Sequence, residues 1–551
     1  MKKLIAKTSA IKETNVQSRL DSVGNSEHAQ EFDFAFLGSG ISTSFTLLHF
    51  LKKLQHKTIT IPLRIAIIDK TQDFFTGIPY GNRSGSSALL ITSLADFLPQ
   101  PELGKFIIWL NRNKIWLLEE MENDGGILTQ NWLLQNKRAI EENDWKDLFI
   151  PRRFFGKYIS EKVHRKIKKA EKSGAVIVQF FSSTVENVTK MKVNYSIKGN
   201  GLDILAQNTI LAIGSPPPQK IWEKEFEDSS KIESLKLFSN PYEVGLNKTI
   251  RNTQAFLENR KGTKTNILII GSNASALEML FKLNDYPSIA KLINKFILIS
   301  TQGLLPDSIV DIELGKKFKP NHLINLKKRN NLTAHEIESA ALTDLDYANE
   351  MGLGAATTVG IISKAFGALL DKLDPIEKEY FACYYGNEIG RRQRCAGTHY
   401  TQTVIGLKAL GKFEHIAGSF QEIIRNGNAD FGFRYTDTIT KKHASYPDNI
   451  HLVINCIGSS SLKSDDLPLL YRNLMSSGLC VPNRSLKGFS VNENLETAEN
   501  LHLIGPLLAG NVIDGKPVWH VEHCGRIIWL SEVLAEKLAN KTWLEQKPII
   551  L

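Results

Sequence analysis

Cysteine is scarce in this sequence, and its spacing argues against several classes of protein. The chain of 551 residues contains five cysteines, and no two of them form a C-x-x-C pair. This spacing argues against a thiol–disulfide reductase and against a zinc ribbon, because both need closely spaced thiols. Free cysteines without a disulfide framework predict a protein of the reducing cytoplasm.

Long apolar runs are also missing. No run reaches the ~18 residues that a membrane span requires, so we expect no membrane partner. The N-terminus starts with two lysines close together but has no apolar segment behind them, which argues against a secretory signal. Residues 1–30 are polar, and we predict that they form a disordered tail.

The positive charge is not arranged as a nucleic-acid surface. The formal net charge is +10, but the lysines are dispersed and show no basic stripe with interleaved aromatic residues. We therefore expect no nucleic-acid partner. A solvated basic surface with sites for anionic cofactors explains the charge better. The length leaves room for two or three domains.

The most informative segment is Glu31–Ser44. A short apolar strand ends at Leu37 and is followed at once by Gly38-Ser39-Gly40 and the apolar pattern of a helix. The first glycine permits a tight turn, and Gly40 has no side chain to block a pyrophosphate at the helix N-terminus. Thr43 stands where a third glycine is expected. The segment predicts the start of a dinucleotide-binding unit.

A second strand, Arg64–Asp69, ends in an acid. A carboxylate at this point accepts hydrogen bonds from the hydroxyls of an adenosine ribose. Asp69 follows Gly38 by 31 residues, against the usual ~20, because a long polar connection precedes the strand. The alternative is a strand that ends in Asp by chance.

A second dinucleotide loop is predicted around Gly271. The strand Thr265–Ile270 runs into Gly271-Ser272-Asn273-Ala274-Ser275-Ala276, and a helical pattern follows. Asparagine tolerates left-handed backbone, and alanine in the third place still allows close packing of helix and strand. The next strand ends in Thr301-Gln302, so it offers neither an acid for the NAD ribose nor an arginine for the NADP phosphate. A unit that has lost its nucleotide is the alternative.

Three further apolar strands end in a turn-forming glycine. They run into Gly214, Gly458 and Gly505-Pro506, and Gly510 follows the last of them. A helix is then expected to begin near Val518. Its N-terminus would stabilise the negative charge that a flavin gains on reduction.

These motifs, in this order, resemble a bacterial family of FAD-NAD(P)-binding flavoproteins that includes FAD-dependent urate hydroxylases and an aspartate N-oxygenating enzyme. The resemblance extends from about Phe32 to Leu538. Besides the nucleotide loops, the blocks that carry it are Gly77–Gly81, Leu89–Ala95, Phe106–Leu110, Phe149–Tyr158, Gly303–Pro306, Arg392–Arg394 and Gly505–Gly510. The chain departs from the family at Ala88, Thr92 and Leu94, and at Thr301 and Gln302, where the family has two arginines.

The resemblance implies an α/β fold of two Rossmann-like domains, with an NAD(P) domain inserted into an FAD domain. After a tail (1–30), the expected order is an N-terminal portion of the FAD domain (31–245), an NAD(P)-binding-like domain with a helical segment over the substrate site (246–440), and a C-terminal portion of the FAD domain (441–551). FAD is the expected cofactor, with NAD(P)H as its reductant. The expected cofactor-binding residues are Gly38, Ser39, Gly40, Ile41, Ser42, Asp69, Arg152, Gly214, Gly505, Pro506, Gly510, Gly271, Ser272, Asn273, Ala274 and Gln302.

For three groups of residues the sequence allows more than one role. Arg152 and Arg153 contact the FAD pyrophosphate or an anionic substrate, or else form a surface salt bridge. The segment Trp519–His523 caps the flavin or simply packs at a helix start, and a zinc site is disfavoured because further ligands are missing. The segment Arg391–Arg394 binds a cofactor phosphate or nucleic acid, or forms a solvated salt-bridged face.

Three functions follow from these features. The first is an NAD(P)H-dependent flavin monooxygenase that hydroxylates a small polar substrate, with the chemistry supplied by the cofactor. The second is an FAD oxidase or dehydrogenase with a vestigial nicotinamide site. The third is a nucleotide-binding module without catalysis. No catalytic side chain, substrate identity or oligomeric state is legible from the sequence.

Overall fold

The computed structural model of the protein describes residues 29–223, 226, 233–308, 310–427 and 429–545. Residues 1–28, which include most of the predicted tail, lie outside the described residues. Within the described residues, no helix is both long and apolar enough to cross a membrane.

The strands belong to two large sheets and one small hairpin. They are β1 (Gln30–Leu37), β2 (Leu63–Asp69), β3 (Val176–Ser182), β4 (Val185–Lys190), β5 (Tyr195–Gly199), β6 (Leu202–Leu211), β7 (Lys236–Phe238), β8 (Thr265–Ile270), β9 (Ile293–Ser300), β10 (Phe413–Arg425), β11 (Phe431–Asp437), β12 (His443–Ser445), β13 (Leu452–Asn455), β14 (Glu496–Ala498), β15 (Leu501–Leu503), β16 (Asn511–Ile513) and β17 (Lys516–Val518).

Helices connect the strands and form a separate segment between β9 and β10. They are α1 (Ile41–Leu54), α2 (Gly77–Tyr80), α3 (Leu94–Phe97), α4 (Glu102–Asp124), α5 (Ile127–Gln135), α6 (Lys137–Glu141), α7 (Arg152–Lys172), α8 (Leu246–Asn259), α9 (Ala274–Asp285), α10 (Pro287–Ala290), α11 (Ile312–Lys317), α12 (Asn321–Leu326), α13 (Ala334–Glu350), α14 (Ala355–Gly367), α15 (Pro375–Tyr380), α16 (Gly386–Arg392), α17 (Thr398–Ala409), α18 (Leu469–Ser476) and α19 (Cys524–Glu545).

The first sheet has the order β14-β15-β6-β1-β2-β3, with the β4–β5 hairpin added beside β6. Strands β15, β6, β1, β2 and β3 are parallel to one another, whereas β14 and β5 pair with β15 and β6 in antiparallel fashion. The chain leaves β1 through α1 to reach β2 on one side, while β6 pairs on the other side of β1. The C-terminal end of β1 is therefore a topological switch point, where ligands of open α/β sheets bind.

The second sheet repeats this plan with the order β12-β11-β10-β9-β8-β13-β7. Strand β8 is buried at all six positions, as expected for a central strand of a parallel sheet that is covered on both faces. It pairs in parallel with β9 and with β13, so a second switch point lies at its C-terminal end. The prediction of two Rossmann-like units, one inserted into the other, is confirmed.

Two strands pair differently from what the expected domain boundaries suggest. Strand β7 precedes the boundary at 245/246, and β13 follows the boundary at 440/441, yet both lie in the second sheet. Strand β13 joins β8 to β7, because its four buried residues fill the gap between them. The chain returns to the first sheet at β14 and β15. The division into domains itself stays a prediction.

The helical segment has its own core. Helix α13 ends at Glu350 and α14 begins at Ala355, so the glycine-containing residues 351–354 separate two helices. The segment packs against the C-terminal region of the chain through aromatic contacts. The rings of Phe381 and Trp519 meet edge to face with centroids 5.3 Å apart. The side-chain amide of Asn387 donates to the carbonyl of Trp519 at 3.0 Å.

Candidate functional site

The first nucleotide loop is held in a conformation that only glycine adopts without strain. Gly38 has φ +98°, and a Cβ added there would lie 2.2 Å from the carbonyl oxygen of Ala212, which follows β6. The N–H of Gly38 donates to the carbonyl of Ile68 at 2.8 Å. The loop is thus wedged between the ends of two neighbouring strands.

Gly40 leaves the N-terminus of α1 open. It is the N-cap residue of the helix, and the first turn contains no acidic residue. A Cβ at this position would meet only the Cα of Gly77, at 3.7 Å. The missing side chains of Gly40 and Gly77 leave a cradle of backbone next to the positive end of a helix, which suits a pyrophosphate. Ile41 and Ser42 form the first turn of this helix.

Asp69 lies beside this loop, as the sequence predicts. Its Oδ2 accepts hydrogen bonds from the N–H and hydroxyl of Ser39 at 2.9 and 2.7 Å, and its Oδ1 accepts from Thr71. The carboxylate also lines a cavity of about 330 Å³ that reaches Gly77 and Arg83. The chemistry of this end of the site fits the ribose of a dinucleotide.

Thr43 stands at the position of the third glycine, and α1 still packs closely against the loop that precedes it. Its side chain is fully buried, and its hydroxyl donates to the carbonyl of Gly38 at 2.6 Å. The hydroxyl therefore fastens the helix to the loop that precedes it. Nothing in the sequence motif indicates this compensation.

The C-terminal glycines return to the first loop. Gly505 has φ +97°, and a Cβ there would lie 3.0 Å from the hydroxyl of Ser42 on α1. Pro506 begins a short 3-10 turn behind it. Gly510 and Gly214 also have positive φ, and Gly510 packs closely on Asn483. Gly505 and Gly38 are thus brought to the same end of the first sheet, as the motif order predicts.

The second loop repeats the construction of the first. Gly271 has φ +104°, a Cβ there would lie 2.4 Å from the carbonyl oxygen of Cys456 behind β13, and its N–H donates to Ile299 at 2.8 Å. Asn273 is the N-cap residue of α9, ahead of Ala274, and its side chain makes no capping hydrogen bond to the helix. Ala276 is fully buried, which confirms close packing at the third position.

The end of β9 lacks a group that grips a ribose. Ser300 contacts the imidazole of His415 at 2.9 Å, and Gln302 is exposed. The acidic residues that follow have structural roles. Asp307 Oδ2 accepts from the N–H of Ala356 at 3.1 Å, and Asp311 caps α11 by accepting from Leu314 at 2.9 Å.

Arg152 joins the two nucleotide folds. Its Nη2 donates to Oε1 of Glu278 on α9 at 2.8 Å, and the side chains of the pair are only 17% and 2% exposed. The alternative of a surface salt bridge is therefore wrong. The hydroxyl of Tyr242 also donates to Glu278, at 2.8 Å. Burial alone would lower the pKa of Arg152, but Glu278, Tyr242 and Tyr400 more than offset this effect and raise it.

Arg153 has different partners from Arg152. It pairs with Glu120 at 3.0 Å and donates to the hydroxyl of Ser86 at 3.0 Å. It lines a cavity of about 650 Å³ between α7 and the segment that contains Gly81. Neither arginine contacts the first glycine loop, and a role for Arg152 in cofactor binding stays a prediction.

The last helix, α19, begins at Cys524, so the prediction of a start near Val518 is wrong. Residues 519–523 before it belong to no helix or strand. Lys516–Val518 instead pair with β16 as a strand, so no helix starts at Val518. The guanidinium of Arg526 lies over the Trp519 ring at 4.1 Å and donates to the carbonyl of His520 at 2.6 Å. Burial and nearby cations lower the pKa of His520 to about 3. Within the described residues, no group of three or more metal-ligating side chains is found.

The arginine-rich segment divides into two sections. Arg391 pairs with Glu388 at 2.7 Å and Arg392 pairs with Asp346 at 2.5 Å, which confirms the salt-bridged face for these two residues. Arg394 instead donates from Nη1 to the side-chain oxygen of Asn273. Binding of a cofactor phosphate was one of the alternatives that the sequence allowed for this segment. The sequence did not predict the contact between Arg394 and Asn273, because 121 residues separate them.

Comparisons with known proteins agree with this geometry. The sequence model of the FAD-NAD(P)-binding family matches residues 35–216, which hold the first loop and Asp69. An uncharacterized protein of Mycobacterium tuberculosis strain H37Rv is 31% identical over 518 residues, covering 92% of this chain and 95% of that protein. A protein of Mycobacterium bovis matches equally. The chain belongs to the FAD-NAD(P)-binding family. The description of this family names FAD and NAD(P), which confirms the cofactor prediction at the level of the family.

A solved structure shares its fold with nearly the whole chain. The reduced form of the ornithine hydroxylase PvdA from Pseudomonas aeruginosa superposes with a TM-score of 0.51 at 13% identity, covering 92% of this chain and 99% of that protein. At this identity the likeness concerns the fold. It supports the arrangement of two dinucleotide-binding units in one chain.

Proposed function

We propose that the protein is an FAD-dependent, NAD(P)H-linked oxidoreductase and, within that class, a monooxygenase that acts on a small polar metabolite. The observation that carries the proposal is the pair of glycine loops, each at the switch point of its own parallel sheet. A chain that fixes two nucleotide folds against each other suits electron transfer from one bound dinucleotide to another.

In this proposal the first fold holds FAD. The pyrophosphate lies on Gly38–Ser42 at the N-terminus of α1, and Asp69 accepts from the ribose hydroxyls. Gly214, Gly505-Pro506 and Gly510 support the flavin side. The second fold holds the nicotinamide coenzyme on Gly271–Ala274, with Gln302 near its ribose.

Bound FAD supplies the two-electron acceptor and the activation of oxygen. The overall reaction consumes NAD(P)H, a proton, O₂ and the substrate, and it releases NAD(P)⁺, water and the hydroxylated substrate. The residues of the chain bind and orient the reactants and exclude water from them. His520 is uncharged at neutral pH because its pKa lies near 3, so it offers a neutral imidazole beside the cation of Arg526.

The proposed substrate class rests on polar groups around the N-terminus of α19 and on the name of a protein with the same fold. The guanidinium of Arg526 donates to the carbonyl of His520 at 2.6 Å, and the positive charges of Arg526 and Lys487 both lower the pKa of His520. Such a set suits a small molecule with an acidic group better than an apolar one. The ornithine hydroxylase that shares the fold is named for an amino acid.

One observation favours a second function, an FAD oxidase or dehydrogenase with a vestigial nicotinamide site. The strand β9 ends without an acid, and the exposed Gln302 stands where a phosphate-binding arginine is expected. In that case electrons would enter from the organic substrate and not from NAD(P)H.

Anaerobic spectra separate these functions. We expect the purified protein to be yellow with one FAD per chain and to lose the visible absorbance of its oxidised flavin when NADPH or NADH is added. Dithionite provides the control for full reduction. Reduction by dithionite but by neither coenzyme would overturn the NAD(P)H-linked function and favour the second one. A well-folded, colourless protein that cannot be reconstituted with FAD would contradict both.

A further inference from the structure

Arg394 is brought to the second nucleotide loop by the backbone around it. The residue lies in the connection between α16 and α17. Its carbonyl accepts from the N–H of Asp307 at 3.0 Å, and the N–H of Ala396 donates back to the carbonyl of Asp307 at 2.9 Å. From this anchored position its guanidinium donates to the side chain of Asn273, the N-cap residue of α9. The placement is therefore a property of the fold and not the accident of a long side chain.

The guanidinium forms no ion pair with an acidic side chain of the described residues. Its neighbours Arg391 and Arg392 are paired with Glu388 and Asp346, whereas the hydrogen bond of Arg394 goes to the neutral amide of Asn273. Burial and then the charge of Arg391 lower the pKa of Arg394, and the charge of Glu522 offsets this only in part. Arginine nevertheless stays protonated at neutral pH. A half-buried cation beside another cation is unfavourable unless an anion joins them.

The N-terminal end of α9 adds positive potential at the same place. This helix has 12 residues, no acidic residue in its first turn and no side chain that caps its N–H groups. The helix dipole and these N–H groups favour an anion. Two sources of positive potential, the helix end and the guanidinium, thus converge on one point of the second loop.

We propose that Arg394 binds the pyrophosphate of the nicotinamide coenzyme together with the N-terminus of α9, an inference that rests on the proposed function. A guanidinium pairs with two phosphate oxygens at once, and it would exchange its contact with Asn273 for the charged ligand. The pyrophosphate is common to NADH and NADPH. Arg394 therefore provides affinity for both coenzymes without selecting between them, and it compensates for the missing ribose ligands at Thr301 and Gln302.

The test compares ligand fragments on the FAD-loaded enzyme by titration calorimetry. The probes are ADP, which carries the pyrophosphate, and adenosine, which carries no phosphate. In Arg394→Gln we expect the affinity for ADP to fall about tenfold to a hundredfold, the range of a lost charged hydrogen-bond pair. The weak affinity for adenosine should be unchanged. Flavin reduction by NADH and by NADPH should weaken by the same factor.

Three variants serve as controls. Arg392→Gln removes a cation two residues away that is paired with Asp346, and it should leave the ADP affinity within twofold. Gln302→Arg should strengthen binding of NADPH alone, because its position follows β9, where the 2′-phosphate belongs. Arg394→Lys keeps the charge but loses the two-point contact, and it should fall between wild type and Arg394→Gln.

The outcomes separate this inference from the function on which it rests. If the wild type is reduced by NAD(P)H and binds ADP, but Arg394→Gln binds ADP within twofold of it, the role of Arg394 is overturned alone. An unequal loss for NADH and NADPH would also overturn it, because the arginine would then read the ribose. A wild type that neither binds ADP nor is reduced by either coenzyme overturns the proposed function together with the inference.

Discussion

The two nucleotide folds of this chain are built by the same hydrogen bonds. In the first, the N–H of Gly38 donates to the carbonyl of Ile68 on the second strand, and in the second, Gly271 does the same with Ile299, both at 2.8 Å. In each fold a Cβ added to the glycine would clash with a carbonyl oxygen that follows the neighbouring strand. The distance is 2.2 Å to Ala212, after β6, and 2.4 Å to Cys456, after β13. The geometry that requires glycine is thus shared by two loops whose sequences differ.

The folds differ in the charges around their loops. The first loop has Asp69, whose carboxylate binds Ser39 and lines the adjoining cavity. The second has no acid at the end of β9, and it gains Arg394 from a distant region of the chain. Backbone geometry is therefore shared, whereas ligand recognition has to be supplied separately by side chains at each site.

Separating the two folds should have the largest effect. A fragment of residues 31–245 lacks β15, which pairs with β6, and α19, whose Ser531 hydroxyl donates to the carbonyl of Ser42. A fragment of residues 246–440 lacks β13, the neighbour of β8. We expect both fragments to be poorly folded and the first to be free of flavin, as measured by circular dichroism and visible absorbance. Stable FAD binding by residues 31–245 would contradict the division of domains.

Breaking the contact between the folds should have the next largest effect. Glu278→Ala leaves the buried guanidinium of Arg152 without its charge partner, and such a loss typically costs about 3–5 kcal/mol. The free energy of unfolding can be measured by urea denaturation. Glu388→Ala removes an exposed pair with Arg391 and should cost less than about 1 kcal/mol. Equal effects of the two variants would show that the buried pair adds nothing.

Alanine at the loop glycines should distinguish geometry from ligand binding. Gly38→Ala and Gly271→Ala each place a Cβ against a carbonyl at positive φ, and we expect each to cost about 2–4 kcal/mol of stability. Gly40→Ala meets no close atom and should cost less than about 1 kcal/mol while weakening FAD retention. Thermal unfolding and the flavin content of purified variants provide the readouts. A stable Gly38→Ala variant would mean that the loop rearranges freely.

The smallest expected effect is a dependence on pH in each sheet. Burial lowers the pKa of His451, beside β13, and of His502, on β15, to about 4. In the unfolded chain each of these imidazoles binds a proton near pH 6.5, whereas in the folded chain it does so only near pH 4. The free energy of unfolding therefore falls as the pH is lowered from about 6.5 to about 4. Because the N–H of Asn266 donates to Nδ1 of His451, protonation there also breaks a hydrogen bond.

His451→Gln should weaken this dependence in the second fold. Between pH 7 and pH 4.5 the fall in the melting temperature should be smaller than in wild type by on the order of 1–2 °C. His443→Gln changes an exposed histidine of the same sheet and serves as the control. An unchanged pH profile in His451→Gln would show that this imidazole stays uncharged in both states or titrates in both.

The sequence predicted the regions of the molecule that local patterns encode. Gly38, Gly271 and Asp69 stand where strands must turn, and the strands β8 and β9 each contain a run of four apolar residues. The start of α19 was misplaced, because an amphipathic pattern does not show that the β16–β17 hairpin and residues 519–523 come first. The sequence also did not indicate which sheet contains β13, because strands of both sheets are apolar runs of similar composition.

Charges that meet across the chain were the hardest to predict. Arg152 and Glu278 are separated by 126 residues, and nothing near either of them indicates a buried pair. The same holds for Arg394 and Asn273. Such contacts depend on how two folds and a helical segment are placed against each other, which periodicity does not specify.

The insertion of one fold into the other also sets an order of events during synthesis. Leu211 at the end of β6 must wait for Leu503 of β15, roughly 290 residues later, whereas the second sheet is complete once β13 has been made. At translation rates of about 5–20 residues per second, this interval lasts about 15–60 s. The edge of β6 that pairs with β15 therefore stays open in the nascent chain while all strands of the second sheet are made.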